Sequence, residues 1–526
     1  MASTDTMADL DATVRIRRPG SVSGLPSAPS APLRRGAVDA ALGRGRAEAL
    51  AAFLAEPDPL AALRAWFGPE LLRYAKAGRW ADIVAALDRD IAALDDLMSR
   101  QLDAILHHPR LQAMEARWRG VAYLTRNAGH ADENVVIRVL NVSWPELCQD
   151  FDRSPEFDQS QLFEKVYSEE FGMPGGRPYG LLVVDHRCSH RRIPGQSTDD
   201  VGGLRVLSQV AAASFAPTVI GAHPALLGLD SFAELGHPLD LGRVFRAEEY
   251  RRWLGFQETE DARYVGVVLP GILMREPWRD GAAAGSDRFP YREGADGLDH
   301  EHYLWGGGVF AFAAVVIRAY RLYGWFADIR GARLDGEDGG VVTGLPAPAF
   351  PTDHWDAARR RPVEAELTDA QEQELGNLGF IALSPSRYTS NLVFLGNQSA
   401  QRRTADQGIA TVNARLGTML QYVLCVSRFS HYVKVMARDR LGGFATAAQL
   451  EAFLSDWLRS YSLGNDDASP EQKARYPLRA SAVQIRDVPG KPGTLSCVFH
   501  LQPHFQLDQV VSAFRLRTEL VAAKIS

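Results

Sequence analysis

The chain has 526 residues, a formal net charge of -6 from 58 Lys and Arg against 64 Asp and Glu, and 46% hydrophobic with 23% charged residues. That length supports two or three separately cored domains, because single cores stop growing near roughly 250–300 residues, and the composition is that of an ordinary folded protein. Mild acidity excludes a global drive toward nucleic acid or anionic lipid, and the four cysteines (Cys148, Cys188, Cys425 and Cys497) lie too far apart for a C-x-x-C metal or redox motif, which fits a reducing cytoplasm.

Residues 1–38 include "RIRRPGSVSGLPSAPSAPLRRG", whose Ser, Pro, Gly and Arg cannot bury enough apolar surface to order themselves. They are read as a disordered arm. The N-terminus lacks the apolar core of a secretory signal, and the longest apolar run, "VFAFAAVVI" from Val309, meets Arg318 far short of the roughly 20 residues that span a bilayer. A chain neither exported by a signal peptide nor inserted in a membrane is expected.

From 39 to 115 the Ala/Leu-rich spacing predicts a helical lead-in, clearest in "WADIVAALDRDIAALDDLMSRQLDAILHH", where apolar residues recur at i, i+3 and i+4. The amphipathic "PLAALRAWFGPELL" is read as a packed helix of that lead-in. Pro109 restarts the chain into "RLQAMEARWRGVAYLTRNA", where Leu111, Met114, Trp118 and Val121 are expected to share one helix face. "ENVVIRVLNVS" and "PYGLLVVDHRCS" read as strands, separated by a helix in "DQSQLFEKVYSEEFG". A further helix and strand in "LRVLSQVAAASFAPTVIGAHPALLG" and a strand in "DARYVGVVLPGILM" extend the alternation. The fold class is therefore α/β, with mixed sheets and packed helices, over a main domain of residues 116–385.

"DGAAAGSDRFPYREGADGLDHEHY" reads as a surface loop and "LWGGGVFAFAAVVIRAYRLYGWF" as a buried helix. A C-terminal domain, 386–526, begins in the Ser/Asn/Gln-rich "SPSRYTSNLVFLGNQSAQRRTADQG" and continues with two amphipathic helices. Its final stretch, "ASAVQIRDVPGKPGTLSCVFHLQPHFQLDQVVSAFRLRTEL", pairs two strands around Pro489, Gly490, Pro492 and Gly493 and adds a third, leaving a potential pairing edge.

Motifs that carry chemistry are missing. "VPGKPGT" sits in a hairpin turn with no helix after it, so it is not a phosphate loop, and His300 and His302 alternate in a loop rather than on one helix face. Asp185, His186, Cys188 and His190 form the densest ligand-capable cluster, yet lack distal partners of recognisable spacing. No G-x-S-x-G elbow occurs. A metal-dependent enzyme built on residues 185–190 is the residue-level competitor, and the reading adopted is no catalytic, cofactor or metal site.

The strings "EARWRGVAYL", "VVIRVLNVSWPEL" and "DQSQLFEKVYSEEFGMPGGRPYGLLVVD", followed in order by "LSQVAAASFAPTVIGAHPALLGLDSFAEL", "RWLGFQETEDARYVGVVLP", "YLWGGGVFAFAAVVIRAYRLYGWFADIRG" and "LQPHFQLD", resemble the large subunit of the type VI secretion contractile sheath, the TssC/VipB family. The resemblance runs from about residue 90 to the C-terminus. It implies a structural, contractile tail-sheath-like fold with terminal strands exchanged between subunits. It also implies a small sheath subunit as partner, self-association in a helical sheath around an inner tube of hexameric rings, a baseplate, and in some members a recycling AAA+ unfoldase, all in the bacterial cytoplasm. A divergent paralogue acting as a sheath-associated adaptor would share these strings.

On this reading Glu115, Arg117, Trp118 and Arg119 are candidate packing and ion-pairing residues, because Trp supplies area and Arg directional pairing. Val483, Ile485, Val498, Phe499, His504, Phe505 and Leu507 are candidate assembly residues on the terminal strands.

Overall fold

The computed structural model describes residues 38–521 except 41, 44, 69–76, 130–134, 238, 279–288, 290, 292, 295–301, 333–337, 347–360, 387–390, 403–416, 442–445, 466, 488–493 and 505–513. Nearly all of the expected arm, most of the loop after residue 278, and Phe505 and Leu507 lie outside the described residues. The chain divides into two units, one formed by Met1–Leu106 with Trp278–Gly294 and the other by His107–Pro277 with Ala295–Ser526.

The first unit holds the helices Arg46–Ala55, Pro59–Phe67 and Trp80–Leu106. Asp58 starts the second, its carboxylate accepting from the Ala61 amide at 2.8 Å while Pro59 fills the first helical position, where a missing N–H costs nothing. Trp66 is the anchor. It is buried, its Nε1–H donates to Asp90 Oδ2 at 2.9 Å, and the Arg46 guanidinium lies 4.9 Å over its ring. Asp103 accepts from the Tyr291 hydroxyl at 2.7 Å and the Gly294 amide at 3.1 Å, tying the later segment to the long helix.

The second unit is built on a six-stranded sheet in the order β1 (Leu182–Cys188), β2 (Thr218–Ala222), β3 (Val265–Leu269), β7 (Phe380–Pro385), β8 (Leu392–Phe394), β6 (Val341–Val342). The first four are mutually parallel, and β8 and β6 add antiparallel to the far side. A short antiparallel ribbon, β4 (Ile272–Leu273) with β5 (Trp305–Gly306), stands beside it.

Period-2 alternation divides these strands between two cores. Ile220, Val267, Phe380 and Ala382 face a core with Leu204, Trp253 and Phe256, whereas Val219, Val268, Ile381 and Leu383 face another with Phe310, Phe312 and Phe394. Burial on both faces is why these strands read as continuous apolar runs. The helix Gly308–Tyr323 fills the second core, with Val309 to Val316 all nearly inaccessible, and ends at Gly324, whose φ of 76° few side chains tolerate.

A third core belongs to the C-terminal region. Antiparallel strands β11 (Phe514–Val521), β10 (Thr494–Pro503) and β9 (Leu478–Asp487) form a sheet covered by the helices Leu420–Leu441 and Ala447–Arg459. Cys497, Phe499 and Leu501 alternate inward from β10 and meet Phe429, Leu454 and Leu458. Here the expected hairpin and third strand are found. "ENVVIRVLNVS", by contrast, forms no strand over its described residues: it has no regular secondary structure, and the Val142 amide turns back to the Leu140 carbonyl at 3.1 Å.

Candidate assembly surfaces

The Pro109–Ala128 helix begins at His108, whose ring nitrogen accepts from the Arg110 amide at 3.3 Å. Its inward face is not the one the large apolar residues suggest. Ala116, Gly120, Tyr123, Leu124 and Ala128 are buried, while Met114 is 52% and Trp118 68% exposed. Small residues four apart let the helix approach the Gly308–Tyr323 helix closely, and this i, i+4 ladder was the signal available in the sequence.

Around Trp118 the charges are organised. Glu115 Oε1 accepts from Arg119 Nε at 2.8 Å and from Arg275 Nε at 2.9 Å, and the Arg275 side chain is only 7% exposed. Arg117 reaches β1, its Nε donating to Asp185 Oδ2 at 3.0 Å. Burial pushes the Asp185 carboxyl up, and the Arg117 charge and hydrogen bond work against that rise. Trp118 itself is left largely in solvent between two arginines whose carboxylate partners belong to this chain.

On the terminal strands, Val483, Ile485 and Phe499 face the third core, and Val498 lies on the opposite, partly exposed face. His504 follows β10, its amide donating to the Pro477 carbonyl at 3.1 Å. The outer side of β9 is partly capped, since the Ile485 amide donates to Glu451 Oε2 at 2.8 Å.

A second exposed apolar surface lies in the segment before Ser143. Val136, Val139 and Leu140 are 62%, 66% and 52% exposed, whereas Arg138 reaches Glu170 and Ile137 packs on the second core. Ser143 then fixes the chain direction through a capping box with Glu146 at the start of the helix Trp144–Arg153.

Residues 88–401 match the model of the EvpB/VC_A0108 tail sheath N-terminal domain, and residues 409–520 match that of the EvpB/VC_A0108 tail sheath gpW/gp25-like domain. The chain belongs to this tail-sheath family. The Type VI secretion system sheath protein TssC1 of Pseudomonas aeruginosa is 38% identical over 448 residues, covering 84% of this chain and 87% of that protein. The resemblance in the sequence is thus shown, and with it a structural subunit of the type VI secretion contractile sheath.

In this sheath subunit the members of the 185–190 cluster are each engaged with different neighbours. Asp185 turns to Arg117, the His186 ring stacks on Trp144 at 4.7 Å, Cys188 is fully buried, and the His190 ring stacks on Tyr250 at 4.0 Å. Among the described residues no group of three or more His, Cys, Asp or Glu is arranged to hold a metal ion. No helix of the described residues is long and apolar enough to cross a membrane.

Sequence reasoning missed Asp200. Its carboxylate accepts from Trp144 Nε1 at 2.8 Å, Thr198 Oγ1 at 2.8 Å and the Ser189 amide at 2.9 Å, and it meets Gln196 and His186. Burial acts to raise this carboxyl, but the hydrogen bonds and the neighbouring His186 outweigh it and hold the group below the usual range. The network locks the loop after β1 onto the helix Asp200–Ser214, and no local motif announces it.

Proposed function

We propose that this chain is the large sheath subunit that pairs with a small sheath subunit, polymerises helically around an inner tube anchored on a baseplate, and contracts in the bacterial cytoplasm. The observation that carries the pairing is the segment around Val136–Val142. Its β-branched run has the composition of a strand, yet it carries no regular secondary structure, and Val136, Val139 and Leu140 stand in solvent without a pairing strand among the described residues. A strand supplied by another subunit would satisfy both its backbone and its side chains. Trp118 and Met114 would add a second contact, and the outer edges of β9 and β11 a third. Contraction then needs only two lattice packings of different free energy, with the paired strands holding neighbours together as they rotate. An unfoldase that recycles the contracted lattice would act on residues before the family-matched region.

The test is co-expression with a small sheath subunit from the same organism, followed by negative-stain electron microscopy against each protein alone. Long tubes found only on co-expression support the proposal. A soluble complex that never polymerises would indicate an adaptor, and absence of any complex would overturn the pairing.

A further inference from the structure

We propose that the exposed face of the Trp80–Leu106 helix docks a helix of a different polypeptide, one that carries lysine or arginine beside its own apolar seam. The seam on this side is regular. Val84, Ile91, Met98 and Ile105 recur every seven residues and are 57%, 46%, 46% and 49% exposed, with half-buried Leu87 and Leu94 between them. That is the heptad spacing by which one helix follows another, and over this 27-residue helix it makes a stripe about 30 Å long, interrupted only by Gln101 near its end. The unit's own packing uses the adjoining stripe, where Ile83 is buried and Asp90 receives the Trp66 indole N–H, so the heptad face is left over.

Charge selects the occupant. Asp88 and Asp95 border the seam on its open side, and among the described residues neither makes an ion pair. A second copy of this helix would set Asp90 against Asp95 in parallel pairing, or Asp95 against Asp95 in centred antiparallel pairing, and like charges at those positions oppose association. The polar side is acidic overall, with Asp82, Asp96 and Asp103 against Arg89 and Arg100, which disfavours an anionic lipid surface. A partner helix with basic flanking positions both covers the apolar stripe and pairs with the two aspartates. This surface is distinct from the strand-pairing segment, and its occupancy does not depend on that reading.

The test titrates the full chain, purified with and without the small sheath subunit, with two labelled synthetic 28-residue helical peptides. Both have a leucine seam, one flanked by lysine and the other by glutamate. The lysine peptide is expected to bind the chain at least ten-fold tighter than the glutamate peptide. The exposed-site variant Met98→Asp should weaken it at least ten-fold, and Asp88→Lys with Asp95→Lys should invert the preference. Binding to the chain alone that is blocked in the complex supports the proposal and identifies the small subunit as the source of the helix. Equal binding of both peptides, no binding to either preparation, or disulfide capture of two Met98→Cys copies as the dominant product would overturn it.

Discussion

Gly120 lies against Phe310 so closely that a Cβ placed on it would meet ring carbons at 2.5–2.6 Å. The Pro109–Ala128 helix that carries Trp118 is therefore positioned by a missing side chain. Gly120→Val should overpack this contact and cost about 2–3 kcal/mol, seen as a lower thermal midpoint of the complex. Adding Phe310→Leu should recover part of the loss. An unchanged midpoint for Gly120→Val would mean that the two helices do not pack through this position.

Glu115 serves two arginines of different exposure, and the pair can be separated by mutation. Glu115→Ala removes a carboxylate from the nearly buried Arg275 and should cost about 3 kcal/mol. Arg119→Ala removes the more exposed partner and should cost under about 1 kcal/mol. Denaturant midpoints of the two variants decide this, and equal effects would contradict the ranking.

His431 makes the fold acid-sensitive. Burial lowers its pKa to about 4, although its hydrogen bond to the Ser214 carbonyl at 3.0 Å opposes the shift. The unfolded chain binds this proton near pH 6.5 and the folded chain does not, so stability is fully present above pH 6.5 and declines as pH falls toward 4. The loss from this one group is about 3 kcal/mol over that window, from about 1.4 kcal/mol per pH unit. Thermal midpoints measured from pH 7 to pH 4 should fall less steeply in His431→Gln than in the parent chain. Parallel slopes would exclude His431 as a source of the sensitivity.

Trp118→Ala should leave stability within about 0.5 kcal/mol, because the ring is mostly in solvent. Its effect is expected in assembly, as fewer or shorter tubes on co-expression with the small subunit. Normal tubes would remove Trp118 from the interface.

Much of the fold was legible because burial follows simple periods. The apolar runs at β2 and β3 and the largely apolar Gly308–Tyr323 helix could be placed from sequence, as could the hairpin that links β9 and β10. The antiparallel attachment of β8 and β6 depends on which sheet edge remains free, and no local pattern encodes that. Two features misled for physical reasons. The Pro109–Ala128 helix buries its smallest residues and exposes its largest, since the close approach at Gly120 leaves no room for Met114 or Trp118. The run around Val136–Val142 has strand composition with no strand partner among the described residues, so local propensity and the isolated chain disagree. At the candidate sites the residues of the 185–190 cluster were visible, whereas Asp200, which organises His186 and Trp144, was not.

That disagreement leads to the decisive measurement, a cryo-electron microscopy map of the tube formed on co-expression with the small sheath subunit. In that tube, residues 136–142 are expected to form a strand hydrogen-bonded to a strand of another chain, with Val139 and Leu140 covered. Tubes in which this segment stays unpaired in solvent would contradict it.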